Sequence, residues 1–205
     1  WMRVYEIPEG GKNTKGRAMQ NLINIEQDDK VKAFLVTQDL KDEAYINSHF
    51  VIMATKKGQV KKTSLEQYSR PRTNGINAIT IKEGDELLEA KLTTGDSQVM
   101  LALASGKSIR FEEAKTRPMG RTASGVRGIT LQHENDEVIG MVAVNDMESN
   151  ILVVSEKGYG KRSKLEDYRI TNRGGKGVKT LNISEKTGNL VAIKNVDDSN
   201  DLMII

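Results

Sequence analysis

Basic side chains recur in this sequence at places where the backbone is also expected to turn. Three glycines, Gly58, Gly106 and Gly158, are each followed by cations: Lys61 and Lys62, then Arg110, then Lys161 and Arg162. A second set gathers around later glycines, Gly75, Gly125 and Gly177. It comprises Arg70 and Arg72, then Arg117, Arg121 and Arg127, then Arg169, Arg173 and Lys176. Such residues suit phosphate, because the guanidinium fork holds two phosphate oxygens while the ammonium acts as a point charge. Arg173 beside Gly174-Gly175 is the sharpest case, since glycine lets a backbone approach a phosphate closely. All of these cations are candidate nucleic-acid contacts. Glu66, Glu112, Glu113, Glu166 and Asp167 compete for several of them, most directly for Arg110 and Arg162.

Other chemistries fit poorly. Gly174-Gly175-Lys176-Gly177 lacks the G-x-x-x-x-G-K-[ST] frame of a nucleotide loop, and Gly158-Tyr159-Gly160 lacks the third glycine of a dinucleotide fingerprint. The carboxylate pairs Asp28-Asp29, Glu112-Glu113 and Asp197-Asp198 are adjacent, so on strands they point to opposite faces rather than converge as catalytic acids. The absence of cysteine excludes a disulfide scaffold, a thiol nucleophile and cysteine-ligated zinc, and His49 and His133 are too few for a histidine-rich metal site. His133 lies in an acidic turn and is expected to face solvent. Tyr5, Tyr68 and Tyr168 occupy like positions, where packing is the default. No catalytic residue, metal site or cofactor is expected.

The elements that carry the cations repeat. Apolar runs begin at Val51, Val99, Ile151 and Leu202. Each of the first three is followed by a turn glycine, a basic stretch, a second glycine and an acidic turn before another apolar segment. The second glycines read Gly75-Ile76, Gly125-Val126 and Gly177-Val178, with Gly16-Arg17 earlier. The acidic turns are Gly84-Asp85-Glu86, Asn135-Asp136-Glu137 and Gly188-Asn189, preceded by Asp28-Asp29. Short aliphatic, β-branched runs bounded by Gly, Asn and Asp read as strands. The best helical candidate, Ser64 to Tyr68, is about one turn. Pro8, Pro71 and Pro118 all precede a second glycine, which marks an irregular connection. The expectation is an all-β chain of four-stranded propeller blades, about four of them in an open arc or incomplete wheel, with a β-solenoid as the alternative. The units run over 1–50, 51–98, 99–150 and 151–201 within one repeat domain, 1–205, with 202–205 starting the next.

Charge is segregated within each unit. The 205 residues carry 31 Lys and Arg against 28 Asp and Glu, a net charge of only +3. Residues 57–75 nevertheless hold five basic side chains against one acidic, 105–128 six against two, and 157–179 eight against two. Residues 82–98, 132–150 and 184–201 are each net acidic. Units related by rotation would line the basic halves into a belt, which fits a bent polyanion. Aromatic residues, at 4%, are too sparse for a base-stacking surface, so backbone contact to a duplex is the better match. No apolar run approaches the roughly eighteen residues of a membrane helix, and nothing at Trp1-Met2 reads as a secretory leader.

The stretches Met53-Ala54-Thr55-Lys56-Lys57-Gly58-Gln59-Val60-Lys61-Lys62-Thr63, Gly125-Val126-Arg127-Gly128-Ile129 and Gly158-Tyr159-Gly160-Lys161-Arg162-Ser163 resemble the C-terminal domain of the bacterial DNA gyrase A subunit. Gly84-Asp85-Glu86-Leu87 and Met119-Gly120 extend the resemblance over essentially the whole chain. It implies a β-pinwheel whose basic outer rim binds and wraps duplex DNA without strong sequence preference, as an accessory domain of an ATP-dependent type II topoisomerase. Catalytic residues would lie elsewhere in the assembly. The implied partners are duplex DNA, the B subunit of gyrase and the remainder of the A subunit, in the bacterial cytoplasm near the nucleoid and without a membrane. The family's seven-residue box, Q-R-R-G-G-K-G, would lie one unit upstream of Gly16. Thr171-Asn172-Arg173-Gly174-Gly175-Lys176-Gly177 matches five of its positions and is read as the repeat-equivalent loop. Alternatives are the topoisomerase IV counterpart, a protein-interaction propeller and, third, a propeller enzyme.

Overall fold

Each of the first three apolar runs forms the leading strand of a hairpin whose turn carries the first glycine of the unit. In the computed structural model, which describes residues 1–23, 25–26 and 28–203, these hairpins are β1 (Phe50–Thr55) with β2 (Gln59–Ser64), β4 (Gln98–Leu103) with β5 (Lys107–Glu112), and β8 (Asn150–Ser155) with β9 (Gly160–Lys164). The segment after each acidic turn returns as a third strand against the leading one: β3 (Leu87–Thr93), β7 (Val138–Val144) and β11 (Leu190–Val196). Two short strands complete the set, β6 (Val126–Arg127) and β10 (Val178–Lys179). The resulting antiparallel sheets have the orders β3-β1-β2-β6, β7-β4-β5-β10 and β11-β8-β9. β7 packs beside both β3 and β11, so the third strands form the hub from which the sheets radiate.

The fourth strand of a sheet is lent by the next unit. β6 pairs with β2 as Gln59 opposite Arg127, and β10 pairs with β5 as Lys107 opposite Lys179. Glycine makes the join possible. Gly58 and Gly106 adopt φ of +82° and +80°, and their carbonyls each accept two amides of the following unit: Gly128 and Ile129, then Thr180 and Leu181. A Cβ on Gly125 would sit 2.5 Å from the Val60 carbonyl oxygen, and one on Gly177 would sit 2.6 Å from that of Ser108.

Both faces of the middle strands are buried, which explains runs that are apolar without alternation. Ile52 and Ala54 face one core with Val99, Leu101, Ile109, Phe111 and Met141, while Val51 and Met53 face another with Leu65 and Tyr68. Met100 and Ala102 pack with Ile151, Val153, Leu165 and Tyr168 between the second and third sheets. In β8 the burial alternates, because no described sheet covers its second face.

The first unit is the exception. Among the described residues before Phe50 there are two single 3-10 turns and one short helix, α1 (Glu43–Ser48), but no strand, so the count is three sheets rather than about four. Residues 31–37 stand at the register of β3, β7 and β11, yet the described part of their unit contains no hairpin for them to pair with. Ala33 and Leu35 pack onto the first sheet, while Phe34 and Val36 face solvent. Tyr5 is likewise exposed, whereas Tyr68 and Tyr168 are buried. The segment expected at 202–205 reaches Ile204 and Ile205, which lie outside the described residues. No described helix is long and apolar enough to cross a membrane.

The lent-strand join sets an expectation for two equivalent turns. Gly106→Ala places a Cβ 2.5 Å from the Leu181 carbonyl oxygen, whereas the same change at Gly158 meets nothing within 4 Å. Both glycines have positive φ. Gly158→Ala should therefore cost only the backbone penalty, about 1–2 kcal/mol, and Gly106→Ala about 1–3 kcal/mol more, read from urea unfolding midpoints.

Candidate nucleic-acid interface

The connections that bring β6 and β10 onto the preceding sheets also hold most of the candidate cations. These connections touch in series. The Arg121 amide donates to Gln67 Oε1, and Arg121 Nη1 donates to the Asn77 carbonyl at 2.9 Å. One unit later, Arg173 Nη1 donates to the Arg127 carbonyl at 3.1 Å and its Nε to that of Lys115. Asn77 and Arg127 each lie two residues past a second glycine, so the two arginines make the same staple at successive boundaries. Thr130 adds a bond to Gly174, and its amide one to Gly175. Segments 69–79, 116–128 and 169–179 thus form one continuous edge of the molecule.

On that edge Arg70, Arg72, Arg117, Arg127, Arg169 and Lys176 are exposed, and Arg121 and Arg173 half-buried. None of these eight makes an ion pair among the described residues. Lys179, which the sequence reading did not single out, belongs with them: it is exposed and occupies in β10 the place of Arg127 in β6. Comparison of Gly125-Val126-Arg127 with Gly177-Val178-Lys179 carries that signal.

Three candidates lie inside instead, which corrects the expectation for them. Lys61 is fully buried, its ammonium donating to the Ala78 and Arg121 carbonyls. Burial, and secondarily the Arg121 charge, pushes its pKa down to about 8. Lys62, at 4% exposure, pairs with the fully buried Glu113 at 3.0 Å, donates to the Gly95 carbonyl and lies over the Phe50 ring. Arg110 donates to Gln98 Oε1 and to the Leu165 and Tyr168 carbonyls, and burial lowers its pKa. Enclosed by the fold and turned onto internal acceptors, these three do not present their charged groups at the surface.

Lys62, Arg110 and Arg162 are register equivalents, opposite Ile52, Met100 and Leu152. The first two reach across a boundary into the 3-10 turn of the next unit. Arg162, with no described unit beyond it, is exposed and pairs with Asp198 at 2.7 Å, and its neighbour Lys161 is exposed. The competing carboxylates expected for Arg110 and Arg162 are therefore not the ones used. Glu113, one of the carboxylates expected to compete for these cations, takes Lys62 of the preceding unit rather than a cation of its own strand. It stands where the other turns carry Leu65 and Leu165, a mismatch visible once the repeats are aligned.

The acidic halves are committed to structure at the hub. Asp85 Oδ1 accepts the Lys57 and Glu86 amides, and the Asp136 carboxylate accepts three amides and the Ser105 hydroxyl. In the third unit Gly188 stands in place of the aspartate, and Asn189, at the register of Glu86 and Glu137, donates its amide to Glu156. Lys56 bridges Glu86 and Glu137.

The chain matches the family described as DNA gyrase C-terminal domain, beta-propeller, over residues 1–38, 49–94, 100–145 and 149–197. It is 43% identical over its whole length to the DNA gyrase A subunit of Staphylococcus epidermidis, of which it spans 22%. Among solved structures it resembles the C-terminal domain of DNA topoisomerase IV (TM-score 0.80, 24% identity, 90% of this chain and 56% of that one). It also resembles a DNA gyrase A C-terminal domain (TM-score 0.75, 22% identity, 90% and 60%).

The buried pair yields a stability cycle. Glu113→Leu alone strands a buried ammonium and should destabilise by roughly 3–5 kcal/mol. Adding Lys62→Met should recover most of that loss, because leucine already fits the equivalent turns. Chemical denaturation of the two single variants and the double variant measures the coupling.

Proposed function

Because this chain belongs to the DNA gyrase C-terminal domain family of β-propellers, we propose that it is the DNA-binding and DNA-wrapping accessory segment of a type II topoisomerase, within its A subunit. The observation that carries this reading is the continuous edge of unpaired cations on segments 69–79, 116–128 and 169–179. Its cations sit on loops tied to one another by backbone hydrogen bonds, so their spacing is held by the fold. A fixed array of this kind offsets the cost of bending a duplex, which is on the order of 1–6 kcal/mol for a 20–30 base-pair site. With few aromatic side chains available, contact falls on phosphates, and sequence preference is weak.

Strand cleavage and ATP hydrolysis belong, on this reading, to residues outside the chain, and no cofactor is required within it. The partners are duplex DNA, the B subunit of gyrase and the rest of the A subunit, in the bacterial cytoplasm. The topoisomerase IV counterpart remains the second reading, favoured by the fold likeness to that enzyme's C-terminal domain.

Binding to unrelated duplexes should weaken steeply with salt. In the triple variant Arg117→Ala, Arg127→Ala and Lys176→Ala, affinity should fall alike for all sequences. The log–log salt slope should shrink by about 0.9 per contact removed, about 2.7 in all. Fluorescence anisotropy across a salt series measures both. An unchanged slope in the folded variant would place any DNA on another face.

A further inference from the structure

At the boundary between the first and second sheets, Arg70, Arg72 and Arg121 converge on one cleft of about 230 Å³, lined also by Glu66, Gln67 and Ile76. Two adjacent units build it: Arg70 and Arg72 follow the first hairpin, and Arg121 comes from the connection of the next. Arg121 is held in place by its amide on Gln67 and its Nη1 on Asn77, which leaves Nε and Nη2 without partners among the described residues. Behind it lies Lys61, buried and bonded to the carbonyls of Ala78 and Arg121, with no carboxylate in reach among the described residues. Tyr68 donates to the same Ala78 carbonyl. Four cations therefore meet one carboxylate, Glu66, and none of the five makes an ion pair among the described residues.

An ammonium taken out of water without a counter-charge is costly unless something compensates it. Carbonyl dipoles do so in part, and a bound anion would complete it. We propose that this cleft is a discrete site for a single phosphate group, gripped by the Arg70, Arg72 and Arg121 forks, with Lys61 as the buried charge that positions and supports them. Where that phosphate belongs to a duplex backbone, the inference rests on the DNA-binding reading above and makes this boundary a fixed point on the rim. A free phosphorylated ligand shares the same chemistry.

The repeat supplies an internal contrast. At the next boundary Arg173 takes the place of Arg121, but Ile109 stands at the register of Lys61, opposite Leu101 as Lys61 is opposite Met53. Pro118 and Gly120 stand where the first boundary has Arg70 and Arg72. Of the two described boundaries, only the first therefore carries the site. The same comparison shows that an aliphatic side chain fits at position 61, so Lys61→Ile is a substitution the fold accommodates.

The test is NMR titration of the Lys61 ammonium with inorganic phosphate, then with a 20-base-pair duplex, against chloride at matched ionic strength. The groups facing Lys61 are Arg121 and Tyr68, with Arg70, Arg72 and Glu66 lining the cleft beyond. Phosphate should bind saturably and raise the Lys61 pKa from about 8 towards its ordinary 10.5. Arg72→Ala, Arg121→Ala and Lys61→Ile, the last followed on the Arg121 side-chain signals, should each weaken phosphate by roughly tenfold. Lys194→Ala, on the exposed face of β11 outside the loop edge, should leave it unchanged. Displacement of phosphate by the duplex, with the same pKa rise, identifies the DNA backbone as the source. Saturable phosphate binding that the duplex does not displace identifies a free phosphorylated ligand and keeps the site. A response no greater than that of chloride overturns the site, and duplex binding measured alongside then decides the rim reading separately.

Discussion

Each unit from Phe50 onward supplies three strands to its own sheet, and the outer edge of the first two sheets is closed by two residues lent from the next unit. The loan depends on close backbone approach. The carbonyl of Gly58 or Gly106 accepts amides from the following unit, and Gly125 or Gly177 lies where a Cβ would overlap the strand it joins. Apolar packing between sheets gives most of the driving force, but it is not directional. The hydrogen-bonded loan fixes the angle and spacing of one sheet against the next, and with them the path of the connecting loops.

That geometry also decides what each cation does. Lys62, Arg110 and Arg162 share one register and differ only in what the next unit lays over them. Under a lent loop the cation is drawn inward, as in Lys62 on Glu113 and Arg110 on the Leu165 and Tyr168 carbonyls. Without a described neighbour the same position faces solvent. The loops that do the covering carry their own arginines outward, and Arg121 and Arg173 staple each loop to its predecessor. One device therefore joins the sheets and arranges the unpaired charge along a single edge. The opposing acidic turns are consumed in fixing the hub, where Asp85 and Asp136 accept backbone amides.

Much of this was legible in the sequence. The recurring order of apolar run, glycine, basic stretch, second glycine and acidic turn gave the strands, the hairpins and the segregation of charge, and the resemblance carried by Met53 to Thr63, Gly125 to Ile129 and Gly158 to Ser163 gave the family. Burial of individual cations was not legible. Lys61 and Lys62 look like any solvated basic pair, because what buries them is a loop sixty residues downstream. The first unit misled for a related reason: its residues follow the repeat, but a strand needs a hydrogen-bonded neighbour as well as a pattern, and residues 31–37 have none among the described residues. Glu113 was legible in principle as the one charged residue in a leucine register.

The central claim is that the loop edge, and not the acidic hub or the buried cations, is the face that meets DNA. Hydrogen–deuterium exchange of the protein with and without a duplex, at low salt, tests it most directly. Slowed exchange should concentrate in segments 69–79, 116–128 and 169–179, with the acidic turns around Asp85, Asp136 and Asn189 unchanged. Protection confined to those acidic turns, or to the open face of β8 and β9, would contradict the account.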